Sequence, residues 1–303
     1  MLSRAPTGNN GVMPELPDLR ILADAFTAAL AGRPLETTAL KQPLVLRGTG
    51  AELRGLEGRR LRRVVQRGKF LTLDFGADRI VINAMLSGRL GLARPGARAF
   101  SSTAMVMTFG ARGGPATDAD VANWTSGAAW IPADEATVEL RYRDPKKMGK
   151  IYLLPEGVER EVAGWDALGT DADDRSFVLE AWQARIKRHH GELQNLLKNQ
   201  EFMAGIGNAY SDEILWAARV APFRKRSSLA AEESEALWRA SHAVCEWAVG
   251  ELRERVPPTF EKQARDFLQV HLRGGEPCPR CGGTISEVSP GGFTTSWCRS
   301  CQA

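Results

Sequence analysis

The stretch Met203-Ala-Gly205-Ile-Gly207-Asn208-Ala-Tyr-Ser-Asp212-Glu213 lies between two segments whose apolar residues recur at helical spacing. Its glycines suit a tight turn, because a residue without a Cβ enters backbone regions closed to others. Asn208 is a favoured helix N-cap, and Asp212 and Glu213 follow in the first turns, where negative charge complements the helix dipole. Free amides at a helix start, beside an Asn side chain, make a corner for a phosphate group. Taken alone, the stretch reads equally as an ordinary corner between two helices.

Around this corner the apolar period is 3.6. Helices are expected near 175–188, 191–199, 208–220 and 229–254, with Pro222 ending the third and Pro257-Pro258 the fourth. From about 61 to 155 the period is two. Leu71, Leu73 and Phe75 alternate with polar residues, as do Val138, Leu140 and Tyr142, and short strands read at 79–85, 103–109 and 150–154. This half predicts an antiparallel sandwich or barrel. Ahead of it, Leu19, Leu22, Phe26 and Leu30 mark one face of a helix that Pro17 opens and Gly32 closes. Residues 1–12 read as a disordered tail, and residues 111–135 as a surface insertion.

The 303 residues allow two or three modest domains. At 43 % hydrophobic and 25 % charged the composition is that of a globular protein, and no apolar run reaches transmembrane length. The N-terminus carries no apolar signal region, so the expected compartment is the cytoplasm, where thiols stay reduced. The net charge of +4 is mild but unevenly spread. Residues 54–69 hold six arginines and Lys69 against Glu57; residues 141–150 hold Arg141, Arg143, Lys146, Lys147 and Lys150 against Asp144; Arg224, Lys225 and Arg226 form a third patch. Such patches on an otherwise acidic chain suit a polyanion partner, and read equally as solvated faces.

Four of the five cysteines fall at the C-terminus as Cys278-Pro-Arg-Cys281 and Cys298-Arg-Ser-Cys301. Each pair places two thiolates on one knuckle turn, and two knuckles complete a tetrahedron around one structural zinc ion. The glycines and proline between them suit a β-hairpin. A disulfide pair or redox motif is the alternative, and the expected compartment and spacing favour zinc. Cys245, in an apolar-periodic helix, reads as a core residue.

Four motifs occur in order: Met13-Pro14-Glu15-Leu16-Pro17-Asp18, Arg67-Gly68-Lys69-Phe70, Gly205 to Glu213, and the cysteine cluster ending Cys301-Gln302. In this order the chain resembles the formamidopyrimidine-DNA glycosylase / endonuclease VIII family from Met13 to Gln302. The resemblance implies an α+β multidomain fold. An N-terminal antiparallel β-sandwich would occupy 13–155, a helix–two-turns–helix domain 170–265, and a zinc-finger β-hairpin 266–303. It also implies a bifunctional DNA glycosylase and abasic-site lyase of base excision repair, removing oxidised or ring-opened bases. The implied partner is damaged, double-stranded DNA, bound by a cytoplasmic monomer with no redox or nucleotide cofactor.

The family's nucleophile is an N-terminal proline, which here corresponds to Pro14. A free secondary amine has a pKa near ~8, so part of it is unprotonated at neutral pH. Attack on sugar C1′ yields an iminium that serves as an electron sink for elimination of the phosphates. Glu15 matches the adjacent acid/base, Lys69 the lysine that contacts phosphate and stabilises the reacting nucleotide, and Asn208 the phosphate-binding asparagine. The lesion must be flipped out to be reached.

The chain departs from the family at four places. Pro14 is internal, and an internal proline nitrogen is a tertiary amide without a basic lone pair; we expect translation to begin at Met13, with the methionine trimmed. In the wedge that fills the vacated base position, Leu86 replaces methionine, and Asp144-Pro145-Lys146-Lys147-Met148-Gly149 replaces an arginine–phenylalanine turn. Lys146 lacks arginine's planar fork for reading the orphaned base, while Met148 remains an apolar filler. Phe293 stands in place of a phosphate-binding finger arginine, a contact left to Arg273 or Arg299. Finally, Arg255 to Arg265 is short and without glycine where guanine-specific members carry a glycine-rich loop. Formamidopyrimidines and oxidised pyrimidines are therefore as reasonable substrates as 8-oxoguanine. The alternative function is a non-catalytic DNA-damage or DNA-structure binder of the same fold.

Overall fold

The computed structural model describes residues 13–113, 133–255 and 263–302; the tail 1–12, most of the 111–135 insertion and most of the 255–265 stretch lie outside the described residues. Helix α1 (Leu16–Leu30) is buried on almost every side, with Leu19, Leu22, Phe26 and Leu30 in the core as the periodicity predicts. It ends at Gly32, whose φ of 79° is the left-handed conformation that stops a helix.

The strands are β1 (Leu35–Leu40), β2 (Leu46–Arg47), β3 (Arg63–Arg67), β4 (Phe70–Asp74), β5 (Arg79–Asn83), β6 (Arg89–Ala93), β7 (Thr103–Phe109), β8 (Val138–Arg143) and β9 (Lys150–Leu154), with a short helix α2 (Gly50–Arg54) after β2. They form two sheets of order β1-β7-β8-β6 and β2-β9-β5-β4-β3. All neighbours are antiparallel except β2 and β9. Leu71, Leu73, Ile80 and Ile82 of one sheet and Met105, Met107, Leu140 and Tyr142 of the other share a single core, so the period of two reports one inward face per strand. The other face of β4, β5 and β9 is covered as well, by Val162, Trp165 and Leu168 packed on Phe70, Val81 and Tyr152. Edge strand β3 is shielded by α1: the Thr27 hydroxyl donates to the Val64 carbonyl at 3.1 Å and accepts its N–H at 2.8 Å.

The second half holds β10 (Thr170–Asp171), α3 (Leu179–Ile186), α4 (Leu193–Lys198), β11 (Met203–Ala204), α5 (Asn208–Ala217) and α6 (Ala231–Arg255). The four helices fall within or beside the expected segments. β10 and β11 pair in parallel, an arrangement that no local pattern announces. The chain ends in the antiparallel hairpin β12 (Ile285–Val288) and β13 (Thr295–Cys298). Helix α6 packs on both α1 and α5, and α5 packs on β13, so the three parts meet around the start of α5. No helix of the described residues is long and apolar enough to cross a membrane.

Candidate active site and nucleic-acid interface

The start of α5 is where the motifs converge. The backbone N–H of Leu16 donates to the Gly205 carbonyl at 2.9 Å, which seats the Pro14-Glu15 dipeptide against the glycine turn. Glu15 is 1 % exposed, and its carboxylate accepts the N–H groups of Gly207, Ala209 and Tyr210 at 2.5, 2.9 and 3.3 Å. Glu15 therefore caps α5 from the far end of the chain. The N-cap position itself is Gly207, and Asn208, expected as the cap, is the first helical residue. A carboxylate at the positive end of a helix holds its charge at low cost. Asp18 accepts the Glu15 N–H at 2.9 Å and forms a two-pronged ion pair with Arg265 at 2.6 and 2.7 Å. Arg265 also lies over the Tyr210 ring. Pro14 lines a cleft with Asp18, Ala84, Gly88, Arg89 and Gln263.

Lys69 sits in the two-residue turn between β3 and β4, one position before β4 begins. A Cβ at Gly207 would come within 2.7 Å of both Glu15 Oε1 and Lys69 Nζ, so only glycine lets carboxylate and ammonium close over the helix start. Burial pulls the Lys69 pKa below the ordinary lysine value; Glu15 opposes that shift, Lys198 adds to it and Asp18 again opposes it. A nearly buried, weakly solvated lysine beside a carboxylate is suited to grip phosphate or move a proton.

Asp144 joins the turn that carries Leu86 to the turn that carries Lys146 and Met148. Its buried carboxylate accepts the Ser87 hydroxyl, the Gly149 N–H at 2.7 Å and the Tyr142 hydroxyl at 3.2 Å. This ties the 144–149 turn to the residue after Leu86. Gly88 and Gly149 both abut the Tyr142 hydroxyl too closely for a Cβ, so both turns need glycine there. Lys146 and Met148 are exposed, and Met85 and Lys147 adopt positive φ.

Asp212 and Glu213, expected to serve the helix dipole, are buried docking groups instead. Asp212 accepts from Gln194 Nε2 at 2.8 Å and Ser296 N–H at 3.0 Å, and meets His271 Nδ1 at 2.8 Å. Glu213 accepts the N–H groups of Gln269, Val270 and His271 at 2.9–3.0 Å. Together they moor the terminal hairpin and its linker to α5. Burial pushes the Asp212 carboxyl up to about 6, with the His271 contact opposing.

The four terminal cysteines form one cluster, all four sulfurs lying within 4.8 Å of one another. The Cys281–Cys298 and Cys278–Cys301 sulfurs are 3.5 and 3.9 Å apart. A tetrahedral site with Zn–S bonds of ~2.3 Å demands sulfur separations of about 3.8 Å. The donor set and spacing thus fit one closed structural zinc site, to which Trp216 adds an Nε1–H contact on Cys278 at 3.4 Å.

Three family models match the chain in sequence: the formamidopyrimidine-DNA glycosylase N-terminal domain over residues 13–151, the formamidopyrimidine-DNA glycosylase H2TH domain over 168–255, and the zinc finger found in FPG and IleRS over 275–303. The chain belongs to the formamidopyrimidine-DNA glycosylase family. The enzyme of that name from Heliobacterium modesticaldum is 28 % identical over 298 residues, covering 96 % of this chain and all of the relative; that of Pelotomaculum thermopropionicum is 26 % identical over 299 residues, covering 96 % and 99 %. The MutM (Fpg) protein of Thermus thermophilus superposes with a TM-score of 0.73 at 27 % identity, over 95 % of this chain and 98 % of that one. The Fpg of Lactococcus lactis, in complex with DNA containing an abasic site, shares the fold with a TM-score of 0.77 at 21 % identity, over 95 % and 99 % of the two chains.

Several cations that the sequence offered this glycosylase-family chain for DNA serve its fold. Arg224 pairs with Glu233 at 2.5 and 2.8 Å, and Arg226 donates to the Ile186 carbonyl at 2.8 Å. Arg273 is drawn into the linker, donating to the carbonyls of Leu268 and Asp266 and to Glu276. Arg299 lies over the Trp297 ring, and Phe293 is 62 % exposed.

Conversely, nothing in the sequence marks Asp171. Its carboxylate accepts the Gly68 N–H at 2.8 Å and Gln66 Nε2 at 3.1 Å, and so holds the Lys69 turn against β10 and, through it, β11. Burial pushes Asp171 up to about 6, the Gly68 bond pulling down, Asp173 pushing up, and Gln66 and Arg20 pulling down. A carboxyl whose folded pKa is raised leaves the protein most stable below the unfolded value near 3.8, and that share is lost as pH rises toward 6. We expect Asp171→Asn to lack this slope. Its stability relative to wild type should rise by about 2 kcal/mol between pH 4 and pH 7, read from urea unfolding at both values. A difference independent of pH would show that the folded protein bears no such burden at Asp171.

Proposed function

We propose that this chain is a bifunctional DNA glycosylase and abasic-site lyase that excises oxidised or ring-opened bases from duplex DNA, acting as a monomer in the cytoplasm on the nucleoid. The observation that carries the reading is the meeting of Pro14-Glu15 and Lys69 at the capped start of α5, beside the cleft that runs from Pro14 to the Ala84–Gly88 turn. In this reading the Pro14 nitrogen, once freed as a secondary amine, donates its lone pair to C1′. The C1′–base bond breaks and the base leaves with the bonding pair, taking a proton. Glu15 shuttles protons as the sugar ring opens to the iminium. Loss of a C2′ proton then sends its electron pair toward the iminium and expels the 3′ phosphate, and a second elimination expels the 5′ phosphate. Lys69 and Asn208 hold the flanking phosphates, Leu86 and Met148 fill the vacated position and Lys146 faces the orphaned base. The zinc keeps the finger folded and takes no part in the chemistry.

A free Pro14 amine is supported by the position at which the N-terminal family match begins, Met13. The second reading, a binder without chemistry, is favoured by the tertiary amide at Pro14 as the chain stands. The deciding assay uses protein beginning at Pro14 and duplexes that each hold one 8-oxoguanine, one formamidopyrimidine, one oxidised pyrimidine or one abasic site. Strand scission on a denaturing gel is expected for the abasic duplex and for at least one base lesion. Binding to all four with no scission would establish the binder instead.

A further inference from the structure

Lys198 is the last residue of α4, and its Nζ lies 3.4 Å from Asn208 Oδ1 at the start of α5. One N–H of the Asn208 amide is spent on the Thr294 carbonyl of the finger, which leaves it a single donor for a phosphate. The lysine adds further unspent N–H bonds at this corner, since its ammonium carries three donors and the contact with Asn208 uses one. Its acidic neighbours are committed elsewhere: Glu15 to the amides of α5, Asp212 to Gln194, His271 and Ser296, and Glu192 to Asn195. Among the described residues no carboxylate lies within ion-pair distance of it. Lys69 Nζ reaches the same helix start at Gly207, and the Lys198 charge adds to what disfavours the Lys69 ammonium. Burial pulls the Lys198 pKa down, with Asp212, Glu15 and Glu192 opposing. One nearly buried and one half-buried ammonium group at the same helix start are poorly balanced alone and well balanced around an anion.

We propose that Lys198 is a DNA-phosphate ligand, binding together with Lys69 a backbone phosphate beside the nucleotide that reaches Pro14. The proposal rests on the DNA-acting reading above. Its placement explains why the ammonium is held by a helix C-terminus, which favours a cation, while its free donors point to the corner. Neutralising one phosphate releases counterions, so each such lysine steepens the fall of log K with log salt by about 0.9.

The test is the affinity of the full chain for a duplex with one tetrahydrofuran abasic analogue, measured from 50 to 300 mM salt for wild type, Lys198→Met and Lys198→Arg. Lys198→Met should bind roughly tenfold more weakly at low salt and with a slope shallower by about 0.9, while Lys198→Arg keeps the wild-type slope. A purely structural lysine would change affinity without changing the slope. Wild-type binding with the same slope in Lys198→Met overturns the role of Lys198 alone. A wild type that fails to bind the duplex overturns the DNA-acting reading, and the role of Lys198 with it.

Discussion

Protein that begins at Pro14 should be trapped covalently by borohydride on duplex DNA holding one abasic site, and the 303-residue chain should not. The reason is electronic. While residue 13 is attached, the Pro14 nitrogen shares its lone pair with a carbonyl and has no basicity. Once free, it is a secondary amine with a pKa near ~8, and it lies in a cleft beside Asp18 and Arg89. The expected contrast is therefore adduct against none, not a graded change. Pro14→Gly in the same trimmed protein should abolish excision of damaged bases. Full excision by that variant, or equal trapping by the untrimmed chain, would refute the proline mechanism. Intact mass of the natively expressed protein complements the gel, since a mass that retains residues 1–12 would leave the amine blocked.

Cys298→Ser should cost the protein its finger. The hairpin has few core residues of its own: Val270, Cys278, Ile285 and Cys298 are buried together, with Trp216 of α5 against them. A core that small cannot offset the entropy of ordering the hairpin, so metal coordination must supply the difference. Apparent zinc-binding free energies of about 10–16 kcal/mol in finger peptides set the scale. We expect the variant to lose its zinc and to bind abasic duplex at least tenfold more weakly, with loss of amide-exchange protection over 285–298. The effect should reach α5, because Thr295 and Ser296 of the hairpin meet Gln194 and Asp212 there. Unchanged zinc content and affinity would show that the finger stands without its metal.

How much of this was legible in the sequence depends on how far apart the cooperating residues lie. The zinc ligands, the helix periods after residue 170 and the alternation in the first half are written within windows of a few to two dozen residues. There, 3.6-residue and two-residue spacing, or the geometry of a knuckle, leave a direct trace. The order of the four motifs sufficed for the family, and with it the fold class. What each motif residue touches was decided only by the tertiary structure. Glu15, not Asn208, caps α5, because a carboxylate 192 residues away reaches the Gly207 amide. Asp212 and Glu213 became anchors for the finger because packing removed them from water and offered amides in return. Arg224, Arg226 and Arg273 counted as DNA-facing charge until the fold gave them carbonyls and carboxylates. Asp171 and Lys198 stand in no motif. Their meaning lies in which turn and which helix start the chain's return brings beside them, and contacts between distant segments leave no period in the sequence.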